Sequence, residues 1–183
     1  MDTMASIGTD FLKLVFDIVL FLLLLRLLLQ LTRADFYNPL SQAIVRTTAF
    51  LDPLRKMLGA WNGLDITTFI AILAVTMLEM ILLLGTNLSP GVLLALAGIT
   101  LLDQLALFFI IAIFLVVILS FLAPDGRNPA AQLLWSLTEP LLGPARRLLP
   151  PLGGIDFSPM LVLFLIYVVR NYLIPALSHA VLF

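Results

Sequence analysis

Four long runs of apolar residues dominate the hydrophobic pattern of this chain. They cover residues 11–31, 66–84, 92–122 and 157–177, and each is interrupted by only a few charged or amide side chains. A helix of about 20 apolar residues crosses the hydrocarbon core of a bilayer, which is about 30 Å thick. The pattern therefore predicts an all-α integral membrane protein with four transmembrane helices.

The third run is longer than one crossing requires. As a single helix it would extend roughly 46 Å. We expect its lipid-embedded part to begin near Asp103 and to cover residues 103–122. Residues 92–102 would then form either an outer extension of the same helix or a short helix joined through a bend.

Two longer connections, about residues 32–65 and 123–156, also have helical patterns. Each contains an Asn-Pro pair, and Asn is a preferred N-cap while Pro is favoured at the first helical position. Apolar or small residues then recur at three- and four-residue steps, which indicates an amphipathic helix lying in the membrane interface. These residues are Leu40, Ala43, Ile44, Thr47 and Leu51 in the first connection, and Leu133, Leu134, Leu137 and Leu141 in the second. Trp61 and Trp135 suit the headgroup depth.

The two connections repeat one another, and a gap of one residue aligns them. At an offset of 90 residues, Asn38, Pro39 and Gln42 match Asn128, Pro129 and Gln132. At an offset of 91 residues, Pro53, Arg55, Lys56, Gly63 and Asp65 match Pro144, Arg146, Arg147, Gly154 and Asp156. We interpret the chain as a duplication with units 1–86 and 87–183. Each unit has two spans, so the units are parallel repeats and both connections lie on one side of the membrane.

The distribution of charge predicts which side that is. Seven of the ten basic residues lie in the two connections, and residues 1–10, 85–91 and 178–183 contain none. Cytoplasmic loops accumulate Lys and Arg, so both connections should be cytoplasmic and both termini periplasmic. The acidic N-terminus is unlike that of a cleaved signal peptide, and we expect the first run to be retained as a span.

Composition narrows the functional classes. The chain is 62% hydrophobic and 11% charged, with a net charge of −1, which fits a membrane protein and gives no reason to expect nucleic-acid binding. It has no cysteine and one histidine, His179, so we expect no metal site and no cofactor. No phosphate-binding loop or nucleophile motif is present, and we expect no enzymatic activity.

Several strings in the chain resemble the YggT family of bacterial and chloroplast membrane proteins. They are RADFYNPLSQ (33–42), DPLRK (52–56), GRNPAAQ (126–132) and EPLLGPARRLLPPLGGIDFSPM (139–160). The first repeat departs from the usual pattern at Phe50 and at Trp61-Asn62, so the second connection is the safer place to look for a role. The resemblance implies a non-catalytic protein connected with osmotic-shock tolerance, with cell division or, in chloroplasts, with maturation of a b-type cytochrome.

The repeated residues are the first candidate site. Arg55, Lys56, Arg146 and Arg147 are candidates for binding anionic lipid headgroups or an acidic partner, or they merely set the topology. Asp65 and Asp156 precede a span, where each can cap the helix or pair with the basic residues ten positions upstream.

Charges inside the spans are the second candidate site. They are Lys13, Asp17, Glu79, Asp103 and Arg170. Charges in lipid are costly unless they are paired or hydrated, so we expect Lys13 to pair with Asp17, and Arg170 with Asp17, Glu79 or Asp103. Arg26 should reach the headgroups from its helix end. The cluster is either a structural contact between helices or a path for protons or cations.

These patterns favour a bacterial inner-membrane protein that organises or assists other membrane components. Its expected partners are anionic lipids and either another membrane protein or a second copy of the chain. Ion or osmolyte transport by an oligomer is the alternative. Assembly of a cofactor-containing protein is a further one, although His179 alone offers a familiar haem ligand.

Overall fold

The computed structural model describes residues 2–58, 66–84, 88–122, 128–150, 153 and 156–182, and all regular secondary structure in these segments is helical. The α-helices are α1 (Asp2–Leu31), α2 (Pro39–Thr47), α3 (Asp52–Leu58), α4 (Ile66–Leu84), α5 (Pro90–Leu122), α6 (Pro129–Leu148), α7 (Ser158–Val168) and α8 (Ile174–Leu182). A 3₁₀ turn, Ala49–Leu51, joins α2 to α3, and a π-helical turn, Val169–Leu173, joins α7 to α8.

Four helical segments are long and apolar enough to cross a membrane. They are Ile7–Leu31, Ile66–Leu83, Pro90–Leu122 and Ser158–Leu182. The all-helical fold with four candidate spans is therefore confirmed. The first span begins earlier and the last ends later than the apolar runs indicated, because helical structure continues into the polar N-terminal residues and to Leu182.

Helix α5 resolves the alternatives for the third apolar run. It is one uninterrupted helix of 33 residues, about 50 Å long. A separate short helix ending near Asp103 is therefore wrong. Residues 92–102 contain no proline, and apart from Gly98 they are Ala, Leu, Val, Ile and Thr, so nothing in the local sequence stops the helix.

The spans pack in two pairs. Helix α1 packs against α4, and α5 packs against α7 and α8, while α4 also contacts α5 and so joins the pairs. The larger core cluster contains leucines of α1, among them Leu20 and Leu24, together with Ile72 of α4 and Phe108 of α5. A smaller cluster forms where α5 meets α6 and α7. Helices α2 and α6 of the two connections contact each other and pack on α1 and α5 respectively.

The two connections fold differently after the same start. The Asn38 side chain accepts a hydrogen bond from the Leu40 backbone N–H, and Asn128 accepts one from that of Ala130, each at 2.9 Å. Helix α6 then continues to Leu148, whereas the first connection breaks at Thr48. One missing residue would rotate the later side chains by about 100°. The tighter 3₁₀ turn offsets this rotation, so Leu51 is buried as its counterpart Leu142 is.

Candidate functional site

Arg26 fixes the first connection to the first span. Its side chain is only 1% exposed although it lies in an apolar helix. Nη1 donates to the Thr48 carbonyl oxygen at 2.6 Å and to Thr48 Oγ1 at 3.0 Å, and Nη2 donates to Asp52 Oδ1 at 2.7 Å. The expectation that Arg26 reaches the headgroups is wrong, because its guanidinium finds these acceptors within the protein. We call this the Arg26 anchor.

The broken helix makes the Arg26 anchor possible. Thr48 and its counterpart Thr138 are both buried, and each hydroxyl donates to the carbonyl four residues earlier, at 2.7 and 2.8 Å. Helix α2 ends at Thr47, and carbonyls at a helix end lack an intrahelical partner. The Thr48 carbonyl accepts the Leu51 N–H of the 3₁₀ turn at 3.2 Å and also receives Arg26, whereas α6 continues past Thr138. Sequence reasoning missed Thr48 and Asp52, although an arginine inside a span is itself a signal that acceptors lie nearby.

The two connections meet at their Asn-Pro starts. Asn38 Nδ2 donates to the Pro129 carbonyl oxygen at 2.7 Å, across 91 positions of sequence. Asn38 is 6% exposed, whereas Asn128 is exposed. The repeated asparagines therefore share a capping role, and Asn38 also holds the two connections together. Gln42 and Gln132 are both exposed and take no part in this contact.

Arg146 ties the second connection to the fourth span. Its Nη1 donates to Glu139 Oε2 at 2.7 Å, and its Nε donates to Asp156 Oδ2 at 2.9 Å. Asp156 Oδ1 accepts the first N–H of α7, from Ser158, at 2.8 Å. Asp156 thus fills both roles considered for it, helix capping and pairing with the upstream arginine. We call Glu139, Arg146 and Asp156 the Arg146 triad.

Electrostatics reinforce the Arg146 triad. Burial alone would raise the pKa of Asp156, but hydrogen bonds from Ser158 and Arg146 outweigh it, and the pKa falls below its ordinary value. Burial alone would lower the pKa of Arg146, and its bonds to Asp156 and Glu139 raise that pKa instead. Both groups are therefore charged at neutral pH. Asp65, the counterpart of Asp156, lies outside the described residues, so its predicted roles remain predictions.

The two neighbouring arginines of the second connection, Arg146 and Arg147, have different surroundings. Arg146 is held by two carboxylates, while the neighbouring Arg147 is exposed and its guanidinium has no ion pair or hydrogen bond within the described segments. In the first connection, Arg55 and Lys56 are likewise exposed on α3. Of the two arginines, Arg147 is therefore the one available to a headgroup or an acidic partner.

Arg170 pairs with Asp103, one of the three carboxylates considered for it. Nε donates to Asp103 Oδ1 at 2.8 Å, and Nη2 lies 3.4 Å from Oδ2. About a third of each side chain is exposed. Arg170 lies in the π-helical turn, and π-helical turns are frequent at functional sites. The ion pair joins the fourth span to α5.

The predicted pair of Lys13 and Asp17 is not formed. Both side chains are exposed on α1, and no ion pair joins them in the part of the chain that the structure describes. Lys13 instead lines a cavity of about 320 Å³ with Asp10, Thr100 and Glu79. An ion pair between Lys13 and Asp17 on a helix surface would contribute only about 0.2–0.5 kcal/mol. The attraction of Lys13 to Asp10 and Glu79 across the cavity is enough to outweigh it.

Four of the five intramembrane charges, all except Asp17, occupy corresponding positions in the two halves of the sequence, with the signs exchanged. At the offset of 90 residues, Lys13 of α1 corresponds to Asp103 of α5. At the offset of 91 residues, Glu79 of α4 corresponds to Arg170. Each pair of spans thus carries one cation and one carboxylate at matching places. In the second pair of spans they form an ion pair, and in the first they line the cavity.

An apolar groove of about 390 Å³ lies where corresponding elements of the repeats face each other. Its walls come from α1 and α5 and from α2 and α6. Five pairs of lining residues are related by the offset of 90: Phe21 and Ile111, Leu25 and Leu115, Leu40 and Ala130, Ala43 and Leu133, and Ile44 and Leu134. Several of the apolar residues recognised in the two connections therefore face this groove.

Comparison with known proteins now identifies the family. The CCB3/YggT family model matches residues 5–86 and again residues 95–177. The chain belongs to the CCB3/YggT family. A Haemophilus influenzae protein is 39% identical over 157 residues, 85% of each chain, and a Pseudomonas aeruginosa protein is 39% identical over 152 residues, 79% of this chain and 76% of that one. The Escherichia coli protein YggT is 33% identical over 163 residues, 88% of this chain and 86% of its own.

No solved structure matches this CCB3/YggT chain. The names of the relatives above state no activity, ligand or partner. Within the described segments, no three acidic or histidine side chains come close enough to hold a metal ion.

Proposed function

We propose that this protein is a non-enzymatic scaffold of the bacterial inner membrane, whose two cytoplasmic connections hold or organise other membrane components. The observation that carries the proposal is the attachment of both connections to the spans. The Arg26 anchor holds the first connection, the Arg146 triad holds the second, and Asn38 joins them. Pre-organised surfaces bind partners at a lower entropic cost than mobile loops.

The proposal includes a topology with both termini periplasmic and both connections cytoplasmic, built from two parallel repeats. The concentration of basic residues in the connections and the double match to one family model support it. Because the chain has no cysteine, single cysteines report position directly. We expect M57C to be protected from an impermeant thiol reagent in intact spheroplasts and S89C to react. The reverse labelling would contradict the proposal.

A photo-crosslinking residue tests the scaffold role itself. Placed at exposed Met57 or Arg147, it should capture the same membrane protein, or a second copy of the chain, in growing cells. Placed at exposed Ser89 it should not, which controls for random collision. Breaking the anchor with Asp52→Ala should reduce capture at Met57 more than at Arg147. Equal capture from all three positions would contradict a specific scaffold.

Transport by an oligomer is the second candidate, because one observation favours it. The cavity with Lys13, Asp10 and Glu79 places unbalanced charges between three helices, which a purely structural contact does not need. In proteoliposomes, Glu79→Gln should abolish ion flux if this cavity is a path. An absence of flux from the wild-type protein would remove this candidate and leave the scaffold proposal intact.

A further inference from the structure

A separate cavity lies on the outer side of the first connection, away from the Arg26 anchor and the apolar groove. It measures about 330 Å³ and is lined by Phe36, Tyr37, Gln42, Val45 and Arg46. The turn before α2 provides the first two residues, and the exposed side of α2 provides the others. The volume lies at the lower end of the range for small-molecule sites, about 300–1,000 Å³.

The polar groups of this cavity are hydrogen-bond donors without partners. The Arg46 guanidinium and the Gln42 side-chain amide make no hydrogen bond or ion pair within the described segments, and Tyr37 is 90% exposed. A guanidinium, an amide and a phenol together offer up to eight N–H and O–H donors. The nearby Asp35 is occupied in part, because its Oδ1 accepts the Tyr37 backbone N–H at 2.8 Å. Such a donor set matches phosphate oxygens.

The remaining walls of the cavity are apolar and suit the part of a lipid next to its phosphate. Phe36 is about half exposed, and it shares the cavity with Val45. We propose that this cavity binds the phosphate headgroup of an anionic phospholipid, with Arg46 as its main ligand and Phe36 and Val45 against the glycerol and upper acyl chain. An aromatic ring beside a cation is the pattern found at the membrane interface.

The second repeat lacks the central ligand of this site. Ser136 occupies the position that corresponds to Arg46, and its hydroxyl already donates to the Leu133 carbonyl oxygen at 2.7 Å. Trp135 occupies the position of Val45, and the side chain is larger. Gln132, the counterpart of Gln42, already has an interaction of its own. One lipid of this type per chain is therefore the expected number.

The inference rests on the part of the proposed function that places the first connection at a membrane surface, and it needs no protein partner. Failure of the crosslinking experiment would therefore leave it standing. Conversely, loss of lipid binding would leave the scaffold role standing.

Native mass spectrometry of delipidated protein in a non-ionic detergent tests the site. Short-chain phosphatidylglycerol is the probe, and phosphatidylcholine of the same chain length is the comparison. We expect one phosphatidylglycerol to bind preferentially. Arg46→Gln should weaken binding by at least about tenfold, because it removes charge-assisted bonds to phosphate. Arg46→Lys should restore only part of the affinity, since it keeps the charge but loses the planar fork.

Arg33→Gln is the matched control, because it removes another exposed arginine of the first connection that does not line the cavity. It should change binding less than twofold. Equal losses for Arg46→Gln and Arg33→Gln would overturn the proposal in favour of diffuse surface attraction. Equal binding of phosphatidylcholine would overturn the requirement for an anionic headgroup. Displacement of the lipid by glycerol 3-phosphate at equal concentration would overturn the lipid assignment in favour of a soluble phosphate.

Discussion

The two cytoplasmic connections, as we propose them to be, start from the same motif and hold themselves to the membrane domain by different means. In the first, a buried arginine from the span reaches outward to Thr48 and Asp52. In the second, a partly exposed arginine of the connection reaches back to the start of the next span through Asp156. One acid of each device is absent from the other repeat, because Gly143 stands opposite Asp52 and Ala49 opposite Glu139.

The difference coincides with the one-residue gap between the two sequences. The first connection breaks at Thr48, whose carbonyl accepts both the Leu51 N–H of the 3₁₀ turn and the guanidinium of Arg26. The intact α6 has no such acceptor and places its charges at the surface. A buried charge is costly to leave unpaired, whereas a surface ion pair is worth only about 0–1 kcal/mol. The first connection should therefore be the more sensitive to loss of its acid.

Asp52→Ala should give the largest effect. It leaves the buried guanidinium of Arg26 without its carboxylate partner. Because Asp52 itself is 44% exposed, the loss should be about 3 kcal/mol, the lower limit for breaking a buried pair. The matched change in the second connection, Glu139→Ala, should cost less than about 1 kcal/mol, because Arg146 is partly exposed and keeps Asp156. Unfolding in mixed micelles measures both. Equal losses would mean that water reaches Arg26.

The double variant Arg26→Leu/Asp52→Leu sharpens this comparison. It removes the charge together with its partner, so it should be more stable than Asp52→Ala alone. If the double variant is the less stable of the two, the Arg26 anchor contributes net stability and does more than offset the cost of burying the Arg26 charge.

The second-largest effect should distinguish the exchanged intramembrane charges. Asp103→Leu leaves Arg170 without its ion-pair partner and should cost about 2 kcal/mol, the range for hydrogen bonds to charged groups. Glu79→Leu at the corresponding site should cost less, because Glu79 lines a cavity. Adding Arg170→Leu to Asp103→Leu should restore part of the loss. An unchanged unfolding midpoint for Asp103→Leu would indicate that water hydrates Arg170, and would favour the transport alternative.

Sequence reasoning reached the helices because their signals are local. Apolar runs predict the four spans, and Asn-Pro pairs predict the starts of α2 and α6. The sequence does not determine the continuity of α5, because length alone does not distinguish a tilted helix from a broken one. The candidate site was predicted only in part. The choice of Asp103 by Arg170 depends on how α5 is placed against the fourth span, and no local pattern encodes that.

The Arg26 anchor shows most clearly what could not be predicted from the sequence. Arg26 lies five residues from the end of α1, which is where a long side chain ordinarily extends to the headgroups. Its real acceptor is created by a helix break 22 residues later. That break follows from a gap visible only when the two repeats are aligned, and its consequence for the Thr48 carbonyl requires three-dimensional packing.

A third pair of variants compares the asparagines at the two starts. Asn128→Ala removes one helix cap, which costs about 1 kcal/mol. Asn38→Ala removes a cap and the bond to the Pro129 carbonyl, so it should cost about 1 kcal/mol more. Hydrogen exchange should then rise in both α2 and α6 for Asn38→Ala, but only in α6 for Asn128→Ala. Exchange confined to α2 in the Asn38 variant would mean that the cross-connection bond is unimportant.

The smallest effect concerns pH and the second connection alone. The pKa of Asp156 is lowered in the folded protein by Ser158 and Arg146, against the opposing effect of burial. A carboxyl whose folded pKa is depressed stabilises the protein above its unfolded pKa, and it loses that contribution as pH falls through the folded value. The stability difference between wild type and Asp156→Asn should therefore be constant from pH 7 to about pH 5. It should begin to fall near the ordinary pKa of Asp, about 4, and disappear only when the pH drops below the lower pKa of Asp156 in the folded protein. A difference that persists at the lowest pH would mean that Asp156 acts through its hydrogen bond to the start of α7 and not through its charge.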